Sequence, residues 1–231
     1  MDYLQDATLV FKQSLTKTVK SIRYMPMLIL VQVGLSALSL LIFRFIYTTS
    51  VTGLLTGIIA ALIMAALWSV YLYAVSHAVH GDKLTIGDLK HGPGAFFRDV
   101  YIATFVIYLL QLVLGMLSIP FLSIILVLAL SALPETIYLA RTAGYENIPE
   151  SLRFLKDNWY IWLPMTLIMY LVLNTFGLSV LLNVPIQLFF DHPLLIITHL
   201  VLFSFFAIFR GHMYQSLYLS NIRKRKFMAK F

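Results

Sequence analysis

Positions 45–81 of this chain, thirty-seven in a row, hold no Asp, Glu, Lys or Arg. About 20 apolar residues already cross the hydrocarbon core of a bilayer, so uncharged chain of this length points to a protein whose solvent is largely lipid. Further charge-free runs occupy 100–134 and 158–190. The chain therefore reads as a multi-pass membrane protein forming one membrane domain over 1–231. Composition agrees, because 12% of its residues are charged against roughly 25% in an ordinary soluble domain. There is no cysteine, which excludes disulfides, thiolate metal sites and a cysteine nucleophile. The net charge of +7 is explained by membrane orientation rather than by nucleic acid, since the basic residues form no separate polar patch. The first apolar run begins only after a charged segment of about two dozen residues, so no cleavable signal peptide is expected.

Dividing the runs into helices of about 1.5 Å rise per residue predicts an all-α integral membrane fold. It has six transmembrane helices in three hairpins, each preceded by a cytoplasmic interfacial segment. The expected spans are 25–47, 51–79, 98–116, 119–140, 161–182 and 194–219, with an amphipathic interfacial helix over 1–24 and a basic tail over 220–231. Run 100–134 forces a decision, because one helix of that length would reach about 52 Å against a core of about 30 Å. It is expected to turn between Gly115 and Pro120, where proline costs the helix a hydrogen bond. Pro164 falls in the first turn of span 161–182, where a missing N–H matters least.

The basic residues test this plan independently. With both termini cytoplasmic, sixteen of the seventeen Lys and Arg residues lie inside and Arg44 alone lies outside, a strong positive-inside signal. The location expected is the inner, cytoplasmic membrane of a cell.

The cytoplasmic segments share a pattern. Leu4, Ala7, Phe11, Leu15, Thr18, Val19 and Ile22 fall on one side of a helix, with Lys12, Lys17, Lys20 and Arg23 on another, as suits a helix lying in the interface. Before span 161–182, Asn147 with Glu150 has the form of a capping box, and Ile148, Leu152, Leu155 and Trp159 make an apolar stripe. Segment 85–99 takes the same place before span 98–116, with His91-Gly92-Pro93-Gly94 read as a bend. Three repeated units of surface helix plus hairpin are the expectation.

The segment Ser151-Leu152-Arg153-Phe154-Leu155-Lys156-Asp157-Asn158-Trp159, followed by a proline-bearing apolar span, resembles a recurring element of poorly characterised bacterial six-span inner-membrane families. These are the YciC-like proteins and the membrane region fused to some glycerophosphodiester phosphodiesterases. The resemblance implies a six-span plan and no reaction, since no part of this chain is left over for a phosphodiesterase domain.

Ionisable residues inside spans are the first functional candidates, because they are costly there. Glu135 and Arg210 are expected at similar depth near the cytoplasmic boundary. Two readings stand: an intramembrane polar pair, or a solvated Glu135 beside a snorkelling Arg210. His77, His80, Asp82 and His212 are candidates for an inner-face metal or proton site, against the plainer reading of interfacial histidines. Gly53, Gly57, Ala61, Ala65 and Ser69 recur every fourth position, a spacing suited to close helix packing. Phosphate loops, nucleophile elbows, dinucleotide fingerprints and paired-metal carboxylates are all missing from the sequence.

These features favour a non-enzymatic protein without cofactors, acting through helix contacts. The roles expected are an accessory or permease-like component, or envelope maintenance and self-protection. Its partners would be the lipid bilayer and another membrane protein or an ABC transporter ATPase. The alternatives are a small secondary transporter using Glu135 and Arg210, and a membrane-embedded lipid-modifying enzyme.

Overall fold

Charge ends the helices of this chain on the cation-bearing side, and proline decides where one of them breaks. The computed structural model describes residues 3–48, 54–116, 120–140, 142–175, 193–220 and 225, and all its regular structure there is helical. Helix α1 (Tyr3–Ser21) passes through a 3-10 turn, Ile22–Tyr24, into α2 (Met25–Thr48), and α3 (Leu54–His80) follows. A 3-10 turn, Asp88–His91, leads to the one-turn α4 (Gly92–Ala95) and then to α5 (Phe97–Met116). Next come α6 (Pro120–Ala129) and α7 (Leu133–Leu139), a 3-10 turn at Gly144–Glu146, α8 (Asn147–Thr175) and α9 (Pro193–Tyr218).

Four stretches among the described residues are long and apolar enough to cross a bilayer: Tyr3–Ile42, Ile58–His80, Phe97–Leu114 and Ile197–Tyr218. The protein is a multi-pass, all-helical membrane protein. It does not have the expected six spans in three hairpins.

The correction has physical causes. Expected span 119–140 is two short helices of 10 and 7 residues, about 15 and 10 Å long, separated by a turn at 130–132. Pro134 has no N–H to give the Leu130 carbonyl, which instead accepts from Leu133 at 3.0 Å. Expected span 161–182 begins far earlier, because α8 runs unbroken from Asn147 through its charged first half to Thr175. Pro164 thus lies inside α8 rather than in a first turn, and positions 176–182 fall outside the described residues.

The three interfacial segments are also unlike one another. The first is a 19-residue helix, the second a 3-10 turn plus one helical turn, and the third is continuous with the helix after it. Asn147 makes no capping box with Glu150. Its Oδ1 accepts from Thr142 at 2.8 Å, while Glu150 pairs with Arg153 at 3.2 Å.

The expected apolar stripes face outward in part. Leu4, Phe11 and Val19 on α1, Ile22 in the turn after it, and Leu152 and Trp159 on α8 are exposed, whereas Ala7, Leu15, Ile148 and Leu155 are half-buried. The buried face of α1 is instead Asp6, Val10, Ser14, Thr18 and Ser21, and that of the first half of α8 includes Asn147, Ser151, Phe154 and Asn158. Small polar side chains let α1 lie close against α9, leaving the large apolar ones for lipid.

Helix α3 is the hub, packing against α2, α4, α5, α7 and α9. Of the four-residue stripe, Ala65 and Ser69 are buried and Ala61 is half-buried, Gly57 lies in α3, and Gly53 falls outside the described residues. Ser69 Oγ donates to the Gly92 carbonyl at 2.6 Å and accepts from the Phe96 N–H at 2.9 Å, fastening α4 across α3. The approach is so close that a Cβ on Gly92 would lie 2.9 Å from Val70 Cα. Because backbone cannot yield as a side chain tip can, Gly92→Ala is expected to lower stability by about 1–3 kcal/mol, read by thermal unfolding in mild detergent.

Candidate functional site

The turn at 130–132 is where polarity enters the bundle. With the helical ladder interrupted there, the Ser131 carbonyl accepts a hydrogen bond from Arg210 Nη2 of α9. The same guanidinium reaches Glu135 in the first turn of α7, with Nε to Oε1 at 2.8 Å and Nη2 to Oε2 at 2.8 Å. Such a two-point pair is the strong form of the arginine–carboxylate contact. The carboxylate is 5% and the guanidinium side chain 16% exposed, so both charges are largely removed from solvent. Trp162 of α8 closes the far side: its ring centroid lies 5.2 Å from Arg210 Cζ, and its Nε1 donates to Ser131 Oγ at 3.0 Å. A cation over an indole face gains further electrostatic stabilisation.

A second layer extends from this clamp. Thr136 Oγ1 donates to the Ala132 carbonyl at 2.9 Å and lies 3.2 Å from Tyr214 Oη, while the Tyr214 ring stacks on Phe154 with centroids 4.3 Å apart. Next to Arg210, Gly211 has no room for a side chain. A Cβ there would stand 2.5 Å from Val79 Cγ2 and 2.8 Å from Tyr138 Oη, so the bare backbone lets α9 meet α3 and α7 together.

The inner histidines are not brought into one cluster. His77 Nδ1 donates to the Tyr73 carbonyl at 3.0 Å and His80 Nδ1 to the Ser76 carbonyl at 2.7 Å, each within α3. Since a carbonyl only accepts, both rings carry their proton on Nδ1. Asp82 is exposed on the loop after α3, and His212 is buried with Nε2 at 3.0 Å from Ser21 Oγ. Among the described residues no three His, Cys, Asp or Glu side chains are grouped to hold a metal ion. Arg44, expected alone on the outer side, is exposed.

Sequence reasoning missed a second buried ion pair. Asp6 is fully buried and pairs with Arg225 at 2.9 Å, and Tyr160 Oη donates to Asp6 Oδ2 at 2.7 Å. Burial, with the Asp6 carboxylate beside it, pushes the Tyr160 hydroxyl up to about 12, so it stays protonated and donating at physiological pH. Arg225 also donates to the Ser220 carbonyl. Asp6 and Arg225 are 219 positions apart, and no local pattern announces such a contact. The one available signal was that Asp6, in line with Ser14, Thr18 and Ser21, is the one acidic residue of this helix.

The chemistry of the Glu135–Arg210 clamp is that of a satisfied pair. Removing one partner strands a buried charge, whereas replacing both with apolar groups does not. Arg210→Met is therefore expected to cost about 3–5 kcal/mol, and Glu135→Leu combined with Arg210→Met to recover most of it. Detergent thermal unfolding of the two variants measures the difference. Comparison with protein families, with characterised proteins and with solved structures found no match.

Proposed function

We propose that this chain is a non-enzymatic protein of the cytoplasmic membrane that works through helix contacts, as an accessory or permease-like component or in envelope maintenance and self-protection. The observation that carries this reading is the two-point engagement of Glu135. Each of its oxygens accepts a hydrogen bond from Arg210, which also donates to Ser131 and lies against Trp162. A carboxylate so engaged serves as a fastener between α7 and α9 more readily than as a site that loads and releases a cargo ion. Outward-facing apolar side chains support the same reading. Phe105, Tyr108, Leu109, Val113 and Met116 of α5 are all exposed, a surface suited to lipid or to a partner's transmembrane helix.

Contacts within the bundle support the orientation proposed from the basic residues. The Asp6–Arg225 pair holds the two terminal segments together, and Tyr24 Oη donates to the Gly81 carbonyl at the end of α3. The N–H of Gly144, just before α8, donates to Asp99 at the start of α5 at 2.7 Å. These ties join segments that carry Lys12, Lys17, Lys20, Arg23, Lys83, Lys90, Arg98, Arg153 and Lys156, and the positive-inside rule supports reading their side of the bundle as cytoplasmic. The sequence carries no nucleotide-binding loop of its own, so a link to ATP would run through a separate ABC transporter ATPase.

A second reading, a small secondary transporter, is favoured by the interrupted helix beside Glu135, since carriers place binding groups at such breaks. Glu135→Gln separates the two. The accessory reading expects a photo-crosslinker at Val113 to trap a stoichiometric membrane partner equally well in Glu135→Gln and wild type. Substrate uptake abolished by Glu135→Gln in a protein that still assembles would decide for transport. A reporter fused after Lys230 is expected to be active only in the cytoplasm.

A further inference from the structure

A cavity of about 370 Å³ opens between the start of α2 and the end of α3, away from the Glu135–Arg210 clamp. Its floor is apolar, with Leu28 from the first turns of α2 and Ala74 and Ala78 from the last two turns of α3. Its rim carries Arg23, Asp82 and Lys83. The alanines make the room, because a longer side chain at either position would occupy it.

The rim is built. Gly81 takes the left-handed φ of 82° that ends α3, its N–H and that of Asp82 both bonding the His77 carbonyl at 2.9 Å. This reversal is one glycine makes at no steric cost, and it carries the loop after α3 back past α2. Arg23 is positioned from the other side: Nη2 donates to Tyr24 Oη at 2.7 Å, its Cζ stands 4.8 Å from the Tyr24 ring centroid, and Tyr24 Oη donates on to the Gly81 carbonyl. Only one of the five guanidinium N–H donors is used in that hydrogen bond. Among the described residues, Asp82 and Lys83 make no ion pair.

Depth and charge together specify a ligand. Arg23 stands just before α2 and Asp82 just after α3, Asp82 two residues past the apolar stretch Ile58–His80, and such helix ends are the level at which headgroups meet the acyl region. The exposed side chains of Ile22 and Ile86, each next in sequence to a lining residue, give the mouth apolar shoulders. Two cations fit a phosphodiester, Arg23 by its planar fork and Lys83 as a point charge. The carboxylate between them in sequence fits a primary amine. A free phosphate would leave the floor unused, and a diacylglycerol would leave the rim unused.

We propose that this cavity binds one phospholipid bearing an amine on its headgroup, of the phosphatidylethanolamine type, with the phosphate on Arg23 and Lys83, the amine on Asp82 and the glycerol end on the α2–α3 floor.

Full-length protein in mild detergent, titrated separately with phosphatidylethanolamine, phosphatidylglycerol, diacylglycerol and inorganic phosphate, tests it by native mass spectrometry and thermal shift. One phosphatidylethanolamine per chain is expected to be retained, in preference to the other three. Arg23→Gln with Lys83→Gln is expected to weaken that retention by about tenfold or more, the equivalent of one charge-assisted contact. Asp82→Asn, at an exposed loop position, is expected to keep phosphatidylglycerol binding while losing the preference for the amine. Equal retention of diacylglycerol, equal stabilisation by inorganic phosphate, or undiminished binding by the double variant would each overturn the proposal. Should the double variant fail to fold, an unchanged lipid preference in Asp82→Asn overturns it alone.

Discussion

A guanidinium held inside an apolar bundle has to be compensated from within the protein, because the surrounding hydrocarbon offers nothing. Arg210 obtains that compensation from three places: the Glu135 carboxylate on α7, the Ser131 carbonyl in the turn before it, and the Trp162 face on α8. Each partner belongs to a different piece of chain, so one charge on α9 selects the mutual placement of all three. Desolvating two ions offsets much of their attraction, which makes such a pair a poor source of net stability. Its effect here is on arrangement: a slip of α7 along α9 by one turn, about 5.4 Å, would leave both charges without partners. Pro134 is upstream of all of this, since the interrupted ladder is what places Ser131 beside Arg210.

The same rule, polar groups inward and apolar groups outward, organises the edge of the molecule. Helix α1 buries Asp6, Ser14, Thr18 and Ser21 while exposing Leu4, Phe11 and Val19. In water that distribution would be unstable. Against lipid it is the favourable one, because close contact between small faces replaces the missing hydrophobic drive. The buried Asp6 is then answered by Arg225 and Tyr160, and Ser21 by His212. Helix α1 is thereby held at one end to α8 and to Arg225 beyond α9, and at the other to α9 itself.

What could be read from the amino acids follows from where the physics is local. The limits of α2, α5 and α9 lie within a residue of the expected boundaries, where charge, helix length and Pro120 were the local signals. Charge likewise singled out Glu135 and Arg210, but nothing in the sequence singled out Ser131 or Trp162, whose roles depend on a turn. The span count failed at 119–140 because the expected span was carried straight through Pro134, before which the helix breaks. It failed at α8 because Arg153, Lys156 and Asp157 suggested a separate surface helix where the chain keeps its helical path. The stripes of α1 and α8 were read as faces turned to the membrane surface, and what that reading lacked was the opposite face, where Asp6, Ser14, Thr18, Ser151 and Asn158 are buried against other helices.

The last two turns of α3 connect these features. Ala74 and Ala78 line the cavity with α2, and one residue further round the helix Val79 packs against the backbone of Gly211, the neighbour of Arg210. The two contacts differ in tolerance. The cavity side has about 370 Å³ of space. The Gly211 side leaves no slack, since even a methyl group there would stand 2.5 Å from Val79. A molecule entering between α2 and α3 can therefore displace α2 and the loop after α3 far more easily than α3 itself. Tightly packed groups transmit strain and loosely packed ones absorb it, so the hub and its ion pair form the fixed part of the protein, and the α2 side is the part that adapts.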